Sequence, residues 1–306
     1  MKVKARLGSS ERQVEVGMIF MFAAMTFMPL IDVFAKILGP TVSGGEIAWG
    51  RMVIQSLILA PFVWWFRLFQ GWRNMHIHAI RGCMIGCATL FFFGALKYMP
   101  LADTYAIFFV EPMILTFLSA VFLKENIGWR RITAIIIGFI GALIVIRPSW
   151  EIFGWTAVFP FMAALCFATF LLFTKIIAND EHPITMQFFS GLWGTVLIGG
   201  ALFIGHNLAI EVMTFTWPTL YELTLIAIIG LIGCGGHILV INAMKRAPAS
   251  VLAPFQYLEI VTGTTMGVIV FSEFPAPVTW LGIAIIIGSG LYIFYRESKV
   301  SQMAQA

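Results

Sequence analysis

Ten stretches of this chain stay apolar for about the 20 residues a helix needs to cross the hydrocarbon core of a bilayer. They are Val16–Leu38, Gly45–Phe66, Ala79–Met99, Leu101–Leu123, Trp129–Ile146, Trp155–Ile177, Ile184–Gly205, Tyr221–Lys245, Ala249–Phe271 and Val278–Tyr295. In lipid every backbone N–H and C=O must be satisfied within the protein, and segments this long can do so only as helices. The expected fold is therefore an all-α membrane protein with ten transmembrane helices. Composition agrees: 11% of the 306 residues are charged, against about 25% in a soluble domain. The connections are short and rich in turn formers, GPTVSGG after the first run, NDEHP after the sixth and FPAP before the tenth, so no linker separates domains.

Charge placement sets the orientation. With the N-terminus in the cytoplasm, 15 of the 19 Lys and Arg fall on the inner side, three (Lys36, Lys97, Arg147) on the outer side, and Arg51 lies within a helix. That distribution follows the positive-inside rule and places both termini, residues 1–15 and 297–306, in the cytoplasm of a bacterial-type inner membrane. The net charge of +4 is spread over helix ends rather than gathered in a stripe, which argues against a nucleic-acid partner. The first run is longer than the roughly 7–15-residue core of a signal peptide and reads as a retained helix. Cys83, Cys87, Cys166 and Cys234 all lie in apolar runs and read as small packing residues rather than disulfides or metal ligands.

The chain repeats itself. ALKYMPLADTYAIFFVEPMILTFLSAVFLKE at 95–125 returns as AMKRAPASVLAPFQYLEIVTGTTMGVIVFSE at 243–273, bringing Lys97 onto Lys245, Pro100 onto Pro248, Glu111 onto Glu259 and Glu125 onto Glu273. IFMFAAMTFMPLIDVFAKI in the first run resembles VFPFMAALCFATFLLFTKI in the sixth, aligning Lys36 with Lys175. Five helices per half is an odd number, so the halves, 16–148 and 152–296, enter the membrane upside down relative to each other. Such inverted repeats place a binding site near mid-membrane, between the halves.

These residues resemble the EamA branch of the drug/metabolite transporter superfamily over roughly residues 16 to 296. The resemblance is carried by EIAWGR (Glu46 to Arg51), by FFFGALKYMPLADTYAIFFVEPMILTFLSAVFLKE and by GFIGALIVIRP. The run APFQYLEIV followed by FSEFP is similar to the ninth helix of S-adenosylmethionine uptake carriers and riboflavin permeases. What the resemblance implies is a carrier of a small organic metabolite, with helices one, three, four, six, eight and nine lining a cavity and five and ten at the periphery.

An ionisable side chain inside a membrane costs a few kcal/mol on insertion scales and so marks a candidate functional site. Glu111 precedes Pro112, which removes a helical hydrogen bond and frees carbonyls beside the carboxyl; alternatively Glu111 satisfies a neighbouring helix or pairs with Arg51. Glu259 shares a helical face with Phe255, Gln256 and Gly263, with Tyr257 one step off. That face could hold the polar head of a solute while Phe255 covers its flat part. Against this, Gly263 and Gly267 form a GxxxG pair that serves close helix packing. Arg51 could balance a substrate carboxylate or Glu111, or else snorkel or pair with Glu46. Asp32 and Lys36, in the favourable i, i+4 order, read mainly as an outer ion pair, the alternative being that Asp32 faces the cavity. Trp49, Tyr105 and His237 sit at intermediate depth, and His237 could relay a proton near neutral pH. The tryptophans near run ends form an aromatic belt.

Three function classes can be weighed. A carrier working by alternating access, with Glu111 or Glu259 binding a cationic group or a coupling proton, fits the repeat. No GxxxxGK[ST] phosphate loop occurs, so such a carrier runs on a gradient; no cofactor or metal is expected. An intramembrane enzyme would need a nucleophile with its base, paired aspartates or metal ligands, and neither an HExxH nor a GxSG turn is present. A channel would need rings of charge or carbonyls, which two carboxylates do not make.

Overall fold

Prolines and helix caps set the element boundaries. The structure, a computed structural model, describes residues 2–68, 74–123, 133, 136–137, 139–141, 143–144, 151–247, 249–285, 287–289 and 291–292. Side chains are described from residue 13 onward, except at 249–251, 253–254 and 257. All regular structure among these residues is helical: α1 (Lys2–Phe27), α2 (Pro29–Leu38), α3 (Gly44–Trp65), α4 (Met75–Leu96), α5 (Leu101–Phe108), α6 (Glu111–Leu123), α7 (Val158–Ile177), α8 (Pro183–Asn207), α9 (Leu220–Arg246) and α10 (Ala249–Phe271).

Seven helical stretches among the described residues are long and apolar enough to cross a membrane: Gln13–Leu38, Gly44–Trp65, Met75–Leu96, Leu101–Phe122, Glu151–Ile177, Pro183–Asn207 and Leu220–Arg246. Two shorter apolar helical stretches, Leu258–Phe271 and Pro277–Ser289, follow them. Most of the fifth expected span lies outside the described residues.

Two spans are broken where the sequence places proline. The first divides into α1 and α2 at Met28, because Pro29 has no N–H to continue the ladder. The carbonyl thereby released, that of Met25, accepts a hydrogen bond from the Thr262 hydroxyl of α10 at 3.2 Å. The fourth divides into α5 and α6 at Phe109–Val110, just before Glu111–Pro112. At the other junctions side chains cap the helices: Ser43 Oγ accepts from the Glu46 N–H, and Thr219 forms a reciprocal capping box with Glu222.

Helices α1 and α2 rest on α9 and α10, α7 rests on α4, α5 and α6, and α3 packs along α8. Glycines let backbones close up at these contacts. A Cβ at Gly82 would meet Trp193 and Ser190 of α8, and one at Gly191 would meet Gln55 and Ser56 of α3. The buried interior is aromatic and aliphatic, including Phe92, Phe93, Phe108, Phe109, Phe167 and Phe170. Trp64, Trp65, Trp155, Trp217 and Trp280 are exposed near helix ends, as expected of an aromatic belt. None of the four cysteines is disulfide-bonded.

Candidate functional site

Where α2, α3, α4, α5, α7, α9 and α10 converge they leave a cavity of about 60 Å³, room for a few water molecules. Its polar lining is Asp32, Arg51, Thr89, Tyr105, His237 and Glu259; its apolar lining includes Phe92, Phe93, Phe108 and Phe167. Five of the residues singled out from the sequence thus meet at one place, drawn from five different helices.

Each is held by its surroundings. Arg51 is buried on α3 and donates from Nη1 to the Thr89 hydroxyl at 2.5 Å, while its buried Nε has no hydrogen-bond partner. Its guanidinium lies over Gly233 of α9, where a Cβ would come within 2.8 Å of Nε. His237, one turn beyond, has Nδ1 2.9 Å from the Gly233 carbonyl. A carbonyl only accepts, so the hydrogen sits on Nδ1 and Nε2, itself buried and unpartnered, presents a lone pair. The edge of the imidazole ring is packed against Phe167 and Phe170.

On the acidic side, the Tyr105 phenol of α5 donates to the Asp32 carboxylate of α2. The Tyr105 ring fits against α10 only because residue 263 is glycine: a Cβ there would overlap the ring. Glu259, one turn earlier on α10, is close enough to Asp32 and Glu111 for their charges to interact. Glu111 is 2% exposed and Glu259 9%, so neither carboxyl faces lipid. Glu111 starts α6 directly behind the helix break, and its Oε1 is buried without a hydrogen-bond partner. It lies beside the cavity lining rather than in it.

Other expectations resolve differently. Asp32 does not pair with Lys36. Lys36 reaches Glu273, 2.5 Å away, and the Met99 carbonyl, which leaves Asp32 to Tyr105 and the cavity. Arg51 does not pair with Glu46, whose carboxylate accepts from the N–H and hydroxyl of Thr216. Trp49 stands apart from the cavity, edge-on to Phe215 and against Gly199. Gln256 is buried on α10 with its Oε1 unpartnered, and Phe255 packs against the core; neither lines the cavity. The Tyr257 side chain lies outside the described residues. Thr89 and the four phenylalanines were not singled out from the sequence, because a threonine or a ring within an apolar run reads as packing.

A second buried polar cluster lies toward the N-terminal end of α4. Arg81, 0% exposed, donates from Nε to the Thr174 hydroxyl and from Nη1 to the Met186 carbonyl, each at 3.0 Å, and its guanidinium stacks on Phe170. Nearby, Glu181 accepts from Asn74 at 3.0 Å and lies 3.9 Å from His78, and Lys245 donates to the Glu181 carbonyl. At the opposite end of the bundle stand Lys36–Glu273 and Lys97–Glu211, the latter 2.8 Å apart.

The family model described as the EamA-like transporter family matches residues 15–147 and again 154–295. A protein named S-adenosylmethionine uptake transporter from Rickettsia bellii (strain RML369-C) is 30% identical, covering 88% of this chain and 89% of that protein. A protein named riboflavin transporter from Brucella anthropi is 26% identical, covering 84% of this chain and 90% of that one. One solved structure superposes with a TM-score of 0.63 at 17% identity, covering 90% of this chain and 94% of that one. At that identity the likeness is one of fold.

Proposed function

We propose that this chain, which belongs to the EamA-like transporter family and is a small-metabolite transporter, is a gradient-driven carrier that alternates a mid-membrane cavity between the two sides. Its candidate solutes are a vitamin such as riboflavin, an S-adenosylmethionine-like compound or an amino-acid-like one. The observation that carries the reading is the cavity itself: a guanidinium, two carboxylates, a histidine and a third carboxyl alongside, all buried in a bundle of apolar helices. Charges placed there face water or substrate, not lipid.

Ten spans in two inverted halves are part of the proposal. The two successive matches to one family model support it, and so does the packing. The first span rests on α9 and on α10, just as the sixth rests on α4 and on α5–α6, and α3 against α8 is its own counterpart. Opposed halves of this kind can rock about a fixed central site. The orientation proposed is that of the inner membrane with both termini cytoplasmic, following the basic residues.

Glu259 and Glu111 are proposed to bind the coupling proton or a cationic part of the solute. Reconstituted vesicles test this with Glu111→Gln and Glu259→Gln. Flux and its pH dependence should fall away in at least one variant. Unchanged flux with an unchanged pH profile in both would remove the role.

A further inference from the structure

Cys87 and Cys166 face each other across the seam between α4 and α7. The two helices run antiparallel there. Arg81, early in α4, donates to Thr174, late in α7, and Phe91 meets Phe159 with ring centroids 6.1 Å apart. A Cβ at Gly94 would lie 3.4 Å from the Phe159 ring, so those two positions are opposite each other. Seven residues make about two turns of helix and return to the same face. Cys87 stands two turns before Gly94, and Cys166 two turns after Phe159, which sets the thiols opposite each other as well. They lie within hydrogen-bonding reach. Neither is disulfide-bonded; Cys166 is buried and Cys87 half-buried. The seam joins the two segments that match the family model, α4 within 15–147 and α7 within 154–295. Ala88 and Phe167, the next residue along in each helix, line the cavity. Under the alignment that brings Lys97 onto Lys245, the position of Cys87 is taken in the second half by Gly235. The thiol pair is therefore not a product of the repeat.

We propose that Cys87 and Cys166 form a site of reversible oxidation, whose disulfide ties the two halves together beside the cavity and stops the carrier. The oxidant is a peroxide. Cys87, the more exposed of the two, meets it first. Its sulfur takes one oxygen as the O–O bond breaks, giving a sulfenic acid and, from hydrogen peroxide, one water. The Cys166 sulfur then attacks the sulfenic sulfur. The S–S bond forms, the S–O bond breaks, and the hydroxyl leaves as a second water with the Cys166 proton. Two thiols have then given two electrons to one peroxide. The closed bond holds the sulfurs about 2.0 Å apart, so α4 and α7 can no longer slide past each other. The loss of transport rests on the carrier reading above; the bond itself rests on the geometry of the seam.

The test treats purified full-length protein in lipid vesicles with hydrogen peroxide and then with dithiothreitol. Peptide mapping after alkylation should find Cys87 joined to Cys166. Uptake of S-adenosylmethionine and of riboflavin is followed in the same vesicles. Uptake should fall on oxidation to the level of protein-free vesicles and return on reduction. Oxidation should also raise the unfolding temperature, as a cross-link between distant parts of a chain does. Cys87→Ser and Cys166→Ala, each made singly, should abolish the cross-link and the thermal shift and keep uptake in peroxide. Cys83→Ser, one turn from Cys87, should leave all three responses in place. The mapping and the reversal by dithiothreitol need no variant, so they decide the matter even if a cysteine variant does not fold. Sulfinic acids without the cross-link, or Cys83 in the place of either partner, would overturn the site. A cross-link that leaves uptake unchanged would overturn the switch. A cross-link with its thermal shift, but no uptake of either solute before oxidation, would count against the carrier reading and leave the bond standing.

Discussion

Lys36 Nζ lies 2.5 Å from Glu273 Oε1, joining residues 237 apart in the chain, while Glu273 Oε2 accepts the N–H of Leu101 at 3.0 Å. One carboxylate thus ties α2 to the start of α5, where Pro100 offers no side-chain cap. The reach depends on how α10 ends. Ser272 turns left-handed (φ 57), its N–H bonds the Val268 carbonyl, and the Glu273 N–H folds back to Gly267. Glu273→Gln keeps the hydrogen-bonding shape but removes the charge, whereas Glu273→Ala removes both. The alanine variant should lose about 1–2 kcal/mol, the glutamine variant less. Thermal unfolding in detergent separates them.

Gly263→Ala should displace the Tyr105 ring and break its hydrogen bond to Asp32. Overpacking of this kind costs about 1–3 kcal/mol. If the ring is the obstacle, Tyr105→Ala should restore folding to Gly263→Ala while transport stays impaired in the double variant. Thermal unfolding and vesicle flux, measured together, check this.

Arg81→Lys should be far from conservative. A lysine cannot fork to Thr174 and Met186 while stacking on Phe170. We expect a loss of about 2–4 kcal/mol, comparable to breaking a buried charged network. The expected readout is a lowered unfolding temperature with unaltered solute affinity in the fraction that remains folded.

Outside the spans, Glu211 is held below the ordinary carboxyl value of 4.5, first by the hydrogen bond from Lys97 and then by that from Tyr98. A depressed carboxyl contributes its stabilisation above the unfolded value and loses it as pH falls through the folded one. The contact between the loop at 208–219 and the end of α4 should therefore persist at neutral pH and loosen only once the pH has fallen below the ordinary carboxyl value. The effect is small, because the pair is exposed to solvent. Hydrogen exchange in that loop across an acid series should detect it, and Glu211→Gln should abolish the pH dependence.

Apolar run length in the sequence was enough to read the chain as helical and to find the seven stretches that are long enough to cross a membrane among the described residues, since only an internally bonded backbone survives in lipid. Of the two proline breaks one is legible in the sequence: Pro112 follows a glutamate within an apolar run and frees carbonyls beside it, whereas Pro29 lies inside a run that reads as continuous. Asp32, Arg51, Tyr105, His237 and Glu259 stood out because polar atoms in apolar runs need a reason. Their partners did not. Whether Asp32 meets Lys36 or Tyr105 depends on which turn faces which neighbour, and that is settled by α5 and α10, some 70 and more residues away. Arg81 is among the 15 basic residues that charge placement puts on the inner side, and that placement does not reveal that it is buried against α7 and α8.

The small volume of the cavity carries a kinetic consequence. With about 60 Å³ between its walls, the pocket must widen by sliding helices before any metabolite of nucleoside size can settle. Apparent affinity is then diluted by the small population of the widened form. Association should be slow and steeply dependent on temperature, and a membrane lipid or detergent that loosens the bundle should tighten apparent affinity without touching a single contact.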